Sequence, residues 1–208
     1  LAAQLGIADG VARGKKMKKE KKGTVVFTGD GGTSEGDFHE ALNVASVWDL
    51  PVLFVIENNG YGLSTPNSEQ FKGESLAVKG EAYGIESLSV DGNNILEVLS
   101  TVKEKIEDIR EKPRPILVEC FTFRMRGHEE ASGTKYVPKK VMDYWAEKDP
   151  ILNYEEHLVN RKIYTEDEIK KIKEEIREEI NSAVRESFDN NKFDVDQSVE
   201  ISDVFYPF

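Results

Sequence analysis

Apolar residues recur along this chain in two rhythms. Thr24 to Thr28, Pro51 to Ile56 and residues 116–122 are short runs rich in Val, Ile, Leu and Phe, and a further strand is predicted over 85–90. Nearly unbroken runs of that length are the pattern of strands buried on both faces. Between them the apolar positions fall at helical spacing. Leu1, Leu5, Ala8, Val11 and Ala12 mark residues 1–16, and Ile95, Leu99, Val102, Ile106 and Ile109 mark one face of residues 95–111. Further helices are predicted over 35–48 and around 75–83. Gly29-Asp30-Gly31-Gly32, Glu57-Asn58-Asn59-Gly60 and Asp91-Gly92-Asn93-Asn94 stop the strands. Strands alternating with helices predict an α/β domain, a doubly wound, mainly parallel sheet covered on both faces.

After residue 124 the character changes. Residues 125–137 read as a polar loop and 138–147 as a short helix carrying Tyr144 and Trp145, which Asp149-Pro150 ends. Thr165 with Glu168 forms a capping box. Ile169, Ile172, Ile176, Ile180 and Val184 then continue a helix to about residue 188, their stripe facing a core or a subunit. The expected organisation is a domain over 1–124, a loop and short helix over 125–150 and a C-terminal helical extension over 151–188. A linker over 189–208 ends in Phe205-Tyr206-Pro207-Phe208.

The 208 residues carry 28 Lys and Arg against 39 Asp and Glu, a net charge of −11. That balance argues against general binding of nucleic acid or an anionic membrane. The lysines between Lys15 and Lys22 lack interleaved aromatics and read as a solvated loop. Cys120 is the only cysteine, which leaves no disulfide framework, and its apolar run suggests a buried structural thiol. No apolar stretch approaches the ~20 residues of a spanning helix. The chain opens on Leu1 in what reads as helix interior, the expectation for a fragment or processed piece of a larger cytoplasmic protein.

Three segments are expected to converge. Asp30 follows the first strand and Asn59 the second, 29 residues later, the length of one right-handed strand–helix–strand crossover. Both therefore belong at the carboxyl edge of the sheet, where open α/β folds bind ligands. The loop from Arg124 to Ser132 leaves the strand 116–122 at that same edge. A carboxylate and an amide oxygen suit a hard divalent cation but are too few to hold it, so water, a backbone carbonyl and a phosphate complete the shell. Gly31 and Gly32, lacking Cβ atoms ahead of a helix, admit that phosphate. Gly60 and Gly62 let a carbonyl near Tyr61 turn inward. Each tripeptide alone is a turn; paired at this spacing, they predict a diphosphate–metal site. In the third segment a neutral His128 imidazole can relay a proton, while neighbouring arginines attract a carboxylate or phosphate.

Gly29-Asp30-Gly31 followed by Asn58-Asn59 resembles the thiamine diphosphate fingerprint. Residues Ser34 to Asn43, Trp48 to Val52, Glu57 to Gly62 and Phe123 to His128 are similar to the alpha subunit of the decarboxylating component of 2-oxo acid dehydrogenase complexes. The resemblance runs from residue 1 to about 150. It implies the thiamine diphosphate-binding fold, with Mg²⁺ held by the Asp30 and Asn59 side chains and the Tyr61 carbonyl. It also implies diphosphate contacts at Gly31 and Gly32, and His128 at the active-site mouth beside the cofactor.

The implied activity is oxidative decarboxylation of a 2-oxo acid with acyl transfer to lipoamide. The implied partners are a beta subunit, separate or fused, and a lipoyl-bearing acyltransferase, in a heterotetramer of two alpha and two beta parts. The beta subunit supplies the activating glutamate, and the segment at the thiazolium end lies upstream of Leu1, so the fragment alone is expected to be inactive. Glu129-Glu130 stand where kinase-controlled relatives carry serine, so no phosphorylation switch is expected there. The substrate leans to branched-chain acids of the 2-oxoisovalerate type, with pyruvate or acetoin as alternatives. Another thiamine diphosphate enzyme, or a non-catalytic assembly module of the same fold, are the competing readings.

Overall fold

A computed structural model of the chain describes residues 1–129, 131–190 and 196–203. Helix α1 (Ala3–Met17) leads into strand β1 (Thr24–Gly29), a tight turn over Gly31–Ser34, helix α2 (Gly36–Val47) and strand β2 (Val52–Asn58). A small hairpin of β3 (Tyr61–Gly62) and β4 (Thr65–Pro66) precedes two single-turn helices, α3 (Asn67–Gln70) and α4 (Val78–Glu81). Strand β5 (Glu86–Asp91), helix α5 (Ile95–Glu111) and strand β6 (Ile116–Phe121) complete the sheet.

β1, β2, β6 and β5 lie side by side in that order, all parallel. Gly29 pairs with Glu57, and Asn58 with Phe121, so the segments leaving β1, β2 and β6 emerge level at one edge. The alternation of side chains across the pleat splits the core in two. On one face Leu5, Ala8 and Ala12 of α1 and Phe38, Leu42 and Ala45 of α2 pack on Val26, Phe54, Ile56 and Leu117. On the other, Ile109 with Val98, Val102 and Ile106 of α5 covers Leu53, Val55, Val90, Val118 and Cys120. The doubly wound architecture is thus present.

Several expectations need correction. The helix around 75–83 is one turn, Val78–Glu81, and the chain leaves it through Gly84 at φ +71°. Lys15 and Lys16 belong to α1 rather than to a loop. Lys15 donates to the Gly23 carbonyl at 2.9 Å and Lys16 to the Trp48 carbonyl at 2.7 Å, stapling the helix to its neighbours. Ile95 and Leu99 of the expected α5 stripe are 47% and 61% exposed, because they lie at the β1 side of the sheet, where Val25 and Phe27 are uncovered too.

Beyond the sheet, helix α6 (Lys139–Ala146) and helix α7 (Pro150–Asn160) flank the expected break at Asp149-Pro150. Residues 1–154 form one compact unit and residues 155–208 a second. In the second, helix α8 (Glu166–Asn190) starts at the expected capping box, with the Thr165 amide donating to Glu168 Oε2 at 2.8 Å and the Glu168 amide to Thr165 Oγ1 at 3.3 Å. Its stripe at Ile172, Ile176, Ile180 and Val184 is exposed, not core. The expected linker contains a helix, α9 (Gln197–Asp203), and the aromatic tail Phe205 to Phe208 lies outside the described residues. Among the described residues no helix is long and apolar enough to cross a membrane.

Candidate functional site

The carboxyl edge of the sheet opens into a cleft of about 530 Å³. Asp30, Gly31, Gly32, Asn59, Tyr61 and His128 all line it, so the three segments singled out in the sequence do meet. Each reaches the cleft through a strand end: Asp30 through β1, Asn59 and Tyr61 through β2, and His128 through the loop after β6. Arg124, Leu63, Thr65 and Gln70 complete the wall.

Asp30 is the most constrained of these groups. It is 2% exposed, and its Oδ2 has no hydrogen-bond partner. Burial pushes its carboxyl above the usual range, an effect that the Gly31 N–H, Arg124 and the Asn67 amide oppose only in part. A buried carboxylate oxygen without a donor is costly unless something cationic completes it. The turn behind it is tight, with Thr33 donating from N and Oγ1 to the Asp30 carbonyl at 3.1 and 2.7 Å.

Glycines set how closely the backbone can approach the ligand space. A Cβ on Gly31 would stand 3.2 Å from the Gly62 Cα, so the turn after β1 and the hairpin after β2 touch. One on Gly32 would meet Thr28 Oγ1 at 2.4 Å, and one on Gly62 the Gln70 amide at 2.9 Å. Asn59 Oδ1 accepts the Tyr61 amide at 3.1 Å, which fixes the turn between them, and Gly60 takes φ +83° to make it. The Tyr61 ring packs edge-on to Tyr136 and Phe123, and Phe123 stacks on Trp145 of α6, ring centroids 5.6 Å apart. The aromatics of the short helix therefore serve to seat the Tyr61 turn.

The loop after β6 is pinned by Arg124. Its Nη2 donates to the Leu63 carbonyl at 2.9 Å and to the Tyr136 hydroxyl at 3.1 Å, and its Nε to the Arg126 carbonyl at 3.2 Å. Its Nη1 stands 3.4 Å from His128 Nδ1. Guanidinium only donates, so Nδ1 is the acceptor and the His128 proton sits on Nε2. His128 itself is exposed at the rim.

Sequence reading missed Asn67 and Gln70. They are separated from the fingerprint by the hairpin, and only folding brings Asn67 Nδ2 to 2.6 Å from Asn58 Oδ1. Pro66 directly before a polar tetrapeptide was the available signal, since it opens a helix turn that faces back to the strand. Asn58 is also not interchangeable with Asn59: it is buried, and its Nδ2 donates to Glu119 Oε1 at 2.7 Å.

The family model described as "Dehydrogenase E1 component" matches residues 1–195. The chain belongs to the dehydrogenase E1 component family. It is 40% identical over 188 residues to 2-oxoisovalerate dehydrogenase subunit alpha 1, mitochondrial, of Arabidopsis thaliana, covering 89% of this chain and 40% of that protein. It is 36% identical over 209 residues to the pyruvate dehydrogenase E1 component subunit alpha of Acholeplasma laidlawii, covering 99% of this chain and 59% of that protein. The corresponding Bacillus subtilis (strain 168) subunit is 36% identical over 189 residues, 90% of this chain and 51% of that protein. The chain thus spans roughly half the length of these E1 alpha relatives.

The dehydrogenase E1 family suggests thiamine diphosphate as cofactor in general, and the residues of the cleft fit its metal–diphosphate end. Asp30 Oδ2 is a buried carboxylate oxygen with no donor, beside turns packed so closely that a Cβ on Gly31, Gly32 or Gly62 would crowd its neighbours. Among the described residues no group of three or more His, Cys, Asp or Glu could hold a metal. A cation in this cleft would therefore take most of its ligands from outside the acidic side chains.

Proposed function

We propose that this chain binds the Mg²⁺–diphosphate end of thiamine diphosphate. With a beta subunit it would carry out oxidative decarboxylation of a 2-oxo acid and acyl transfer to the lipoamide of an acyltransferase component. The observation that carries the reading is the orphaned Asp30 carboxylate oxygen buried in the cleft shared with Asn59. Asp30 and Asn59 would hold the ion through their side chains and Tyr61 through its carbonyl, with Gly31 and Gly32 admitting the diphosphate. When bound, thiamine diphosphate supplies the electron sink that allows a 2-oxo acid to lose CO₂. This chain's own part is to anchor, to shield and to present His128. The Arg124 brace keeps the His128 proton on Nε2 at the cleft rim, where it can be exchanged with an acyl acceptor.

For the substrate we favour a branched-chain 2-oxo acid of the 2-oxoisovalerate type over pyruvate or acetoin. The higher identity to the 2-oxoisovalerate relative supports that order. Titration calorimetry of the full-length protein with thiamine diphosphate and Mg²⁺ tests the site. Binding that requires Mg²⁺ and is abolished by Asp30→Asn and by Asn59→Ala is expected. Equal weak binding by all three proteins would instead favour an assembly module. Release of CO₂ from 2-oxoisovalerate and from pyruvate, with the beta subunit present, decides the substrate.

A further inference from the structure

Glu119 lies in the middle of β6, is 0% exposed and is one of the largest fully buried side chains. Among the described residues every group that donates to it is neutral, yet both of its oxygens are occupied. Oε1 accepts Asn58 Nδ2 at 2.7 Å and the Leu76 amide at 3.0 Å. Oε2 accepts the Ser89 hydroxyl at 2.8 Å, the Ala77 amide at 3.2 Å and the Ser75 hydroxyl. Burial alone would raise its pKa. The donors from Ser75, Leu76, Asn58 and Ser89 outweigh that and hold the carboxyl below its ordinary range, so the group is an anion.

The donors lead to both halves of the cleft. On one side Asn58 Oδ1 accepts the Gly60 amide at 3.1 Å and Asn67 Nδ2 at 2.6 Å. Those contacts shape the turn that carries Asn59 and Tyr61, and the Asn67 amide also faces the Asp30 carboxylate. On the other side, the amides of Leu76 and Ala77 belong to the segment that opens α4, and Lys79 is two residues further on. Lys79 Nζ donates to the Thr33 carbonyl at 2.8 Å and to Thr33 Oγ1 at 3.0 Å, and it passes over the Phe38 and Phe71 rings. Thr33 in turn closes the Asp30–Ser34 turn.

We infer that Glu119 is a positioning residue that braces both ligand-bearing turns at once, the Asn59–Tyr61 turn through Asn58 and the Asp30–Ser34 turn through Ser75–Lys79. The inference rests on the metal–diphosphate reading of the cleft. A buried carboxylate is suited to the task because it accepts several donors from different directions, which an amide in its place cannot do without presenting its own N–H groups to some of them. Nothing in the brace touches the ligand space directly, so its effect is on geometry.

The test compares the wild-type full-length protein, Glu119→Gln and Val118→Ala. Val118 is the next residue along β6, in the opposite core. Two quantities are read well below the unfolding temperature: Mg²⁺–thiamine diphosphate affinity by calorimetry, and amide exchange without ligand. Glu119→Gln is expected to weaken binding by about 10–100-fold, as for other groups that orient metal ligands, and to speed exchange at Asp30–Ser34 and Asn59–Tyr61. Val118→Ala should do neither. Wild-type exchange at both turns in Glu119→Gln overturns the proposal, and so does a loss of affinity that Val118→Ala reproduces.

Lys79→Met and Asn58→Ala keep the proposal testable if Glu119→Gln does not fold. Lys79→Met should loosen only the first turn, and Asn58→Ala the second together with the Asn67 contact to Asp30. Unchanged exchange in both overturns the brace. Failure of the wild-type protein to bind Mg²⁺–thiamine diphosphate would sink the cofactor reading instead, while the ligand-free exchange would still decide the brace.

Discussion

The Arg124 guanidinium reaches the Leu63 carbonyl at 2.9 Å and so ties the loop after β6 to the hairpin after β2. Leu63 holds that carbonyl in place at φ +56°, an uncommon conformation for a non-glycine residue. The same side chain also serves the Tyr136 hydroxyl, the Arg126 carbonyl and His128 Nδ1, a set that needs a planar fork. Arg124→Lys keeps the charge and loses the fork. Losing one or two charge-assisted hydrogen bonds at about 1.5–3 kcal/mol each is expected to lower lipoamide-dependent turnover at least tenfold. The loop is peripheral, so the unfolding temperature should barely move. Steady-state assays with the beta subunit, beside thermal melts, check both statements.

Gly32 offers a sharper test of the cleft. A Cβ there would sit 2.4 Å from Thr28 Oγ1, and the next contact, Thr28 Cβ, is at 3.8 Å. Gly32→Ala must therefore displace the turn, while Gly32→Ala combined with Thr28→Ala removes the colliding atom. The single variant is expected to bind Mg²⁺–thiamine diphosphate markedly more weakly, and the double variant to recover most of the loss. A double-mutant cycle on calorimetric affinities, with coupling of about 1 kcal/mol or more, is the measurement.

Asp9 gives a pH-dependent prediction remote from the cleft. It is 5% exposed on α1, both carboxylate oxygens lack hydrogen-bond partners, and burial raises its pKa to about 7. The folded state then binds a proton that the unfolded chain gives up near pH 3.8. Stability falls as pH rises between those values and is level above them. At about 1.4 kcal/mol per unit, the cost at pH 8 is at most about 4 kcal/mol. Asp9→Asn carries no charge, so it should melt higher than wild type at pH 8, and the gap should close as pH falls toward 4. Equal melting shifts at both pH values would refute the burial account.

The parts legible in the sequence are those with a local physical cause. The central strands β2 and β6 showed as apolar runs because both of their faces are covered, and Thr165 showed as a helix cap because capping is a matter of a few residues. Asp30, Asn59 and His128 could be placed at one edge because parallel crossovers fix where strands end. What stayed hidden depends on distant partners. Nothing near Glu119 in the chain announces that an otherwise apolar strand will turn a carboxylate toward Asn58 and Leu76. Ile95 and Leu99 fit a buried helix stripe by period, yet their exposure is decided by how far α5 reaches across β1. Gln70 reaches the cleft wall, and Asn67 reaches Asn58, only through the hairpin that precedes them.

Cys120 tests the burial of the sheet's second face. It is 8% exposed, and burial, with the charges of Glu57 and Glu119, pushes its thiol up to about 11. Thiolate is the reactive form, so the folded protein is expected to resist iodoacetamide at pH 8 and to react fully in denaturant. Mass spectrometry of the alkylated protein reads the difference.

His128 separates positioning from chemistry. Its Nδ1 accepts from Arg124, which leaves Nε2 free of that contact, so one imidazole can perform two jobs. His128→Ala removes both. His128→Asn leaves an amide oxygen near the former Nδ1 that can still accept from Arg124, but nothing that exchanges a proton at neutral pH. If His128 acts as a proton relay in acyl transfer, both variants should lose transfer to lipoamide by about 10²–10⁴-fold while CO₂ release, measured with an artificial electron acceptor, stays within a few-fold of wild type. If His128 serves only to hold the loop, Asn should restore what Ala loses. A third outcome, loss of CO₂ release in both variants alongside transfer, would move His128 from the handover of the acyl group to the decarboxylating step. The Arg124→Lys variant would then be expected to lose CO₂ release as well, since it removes the contact that orients the same ring.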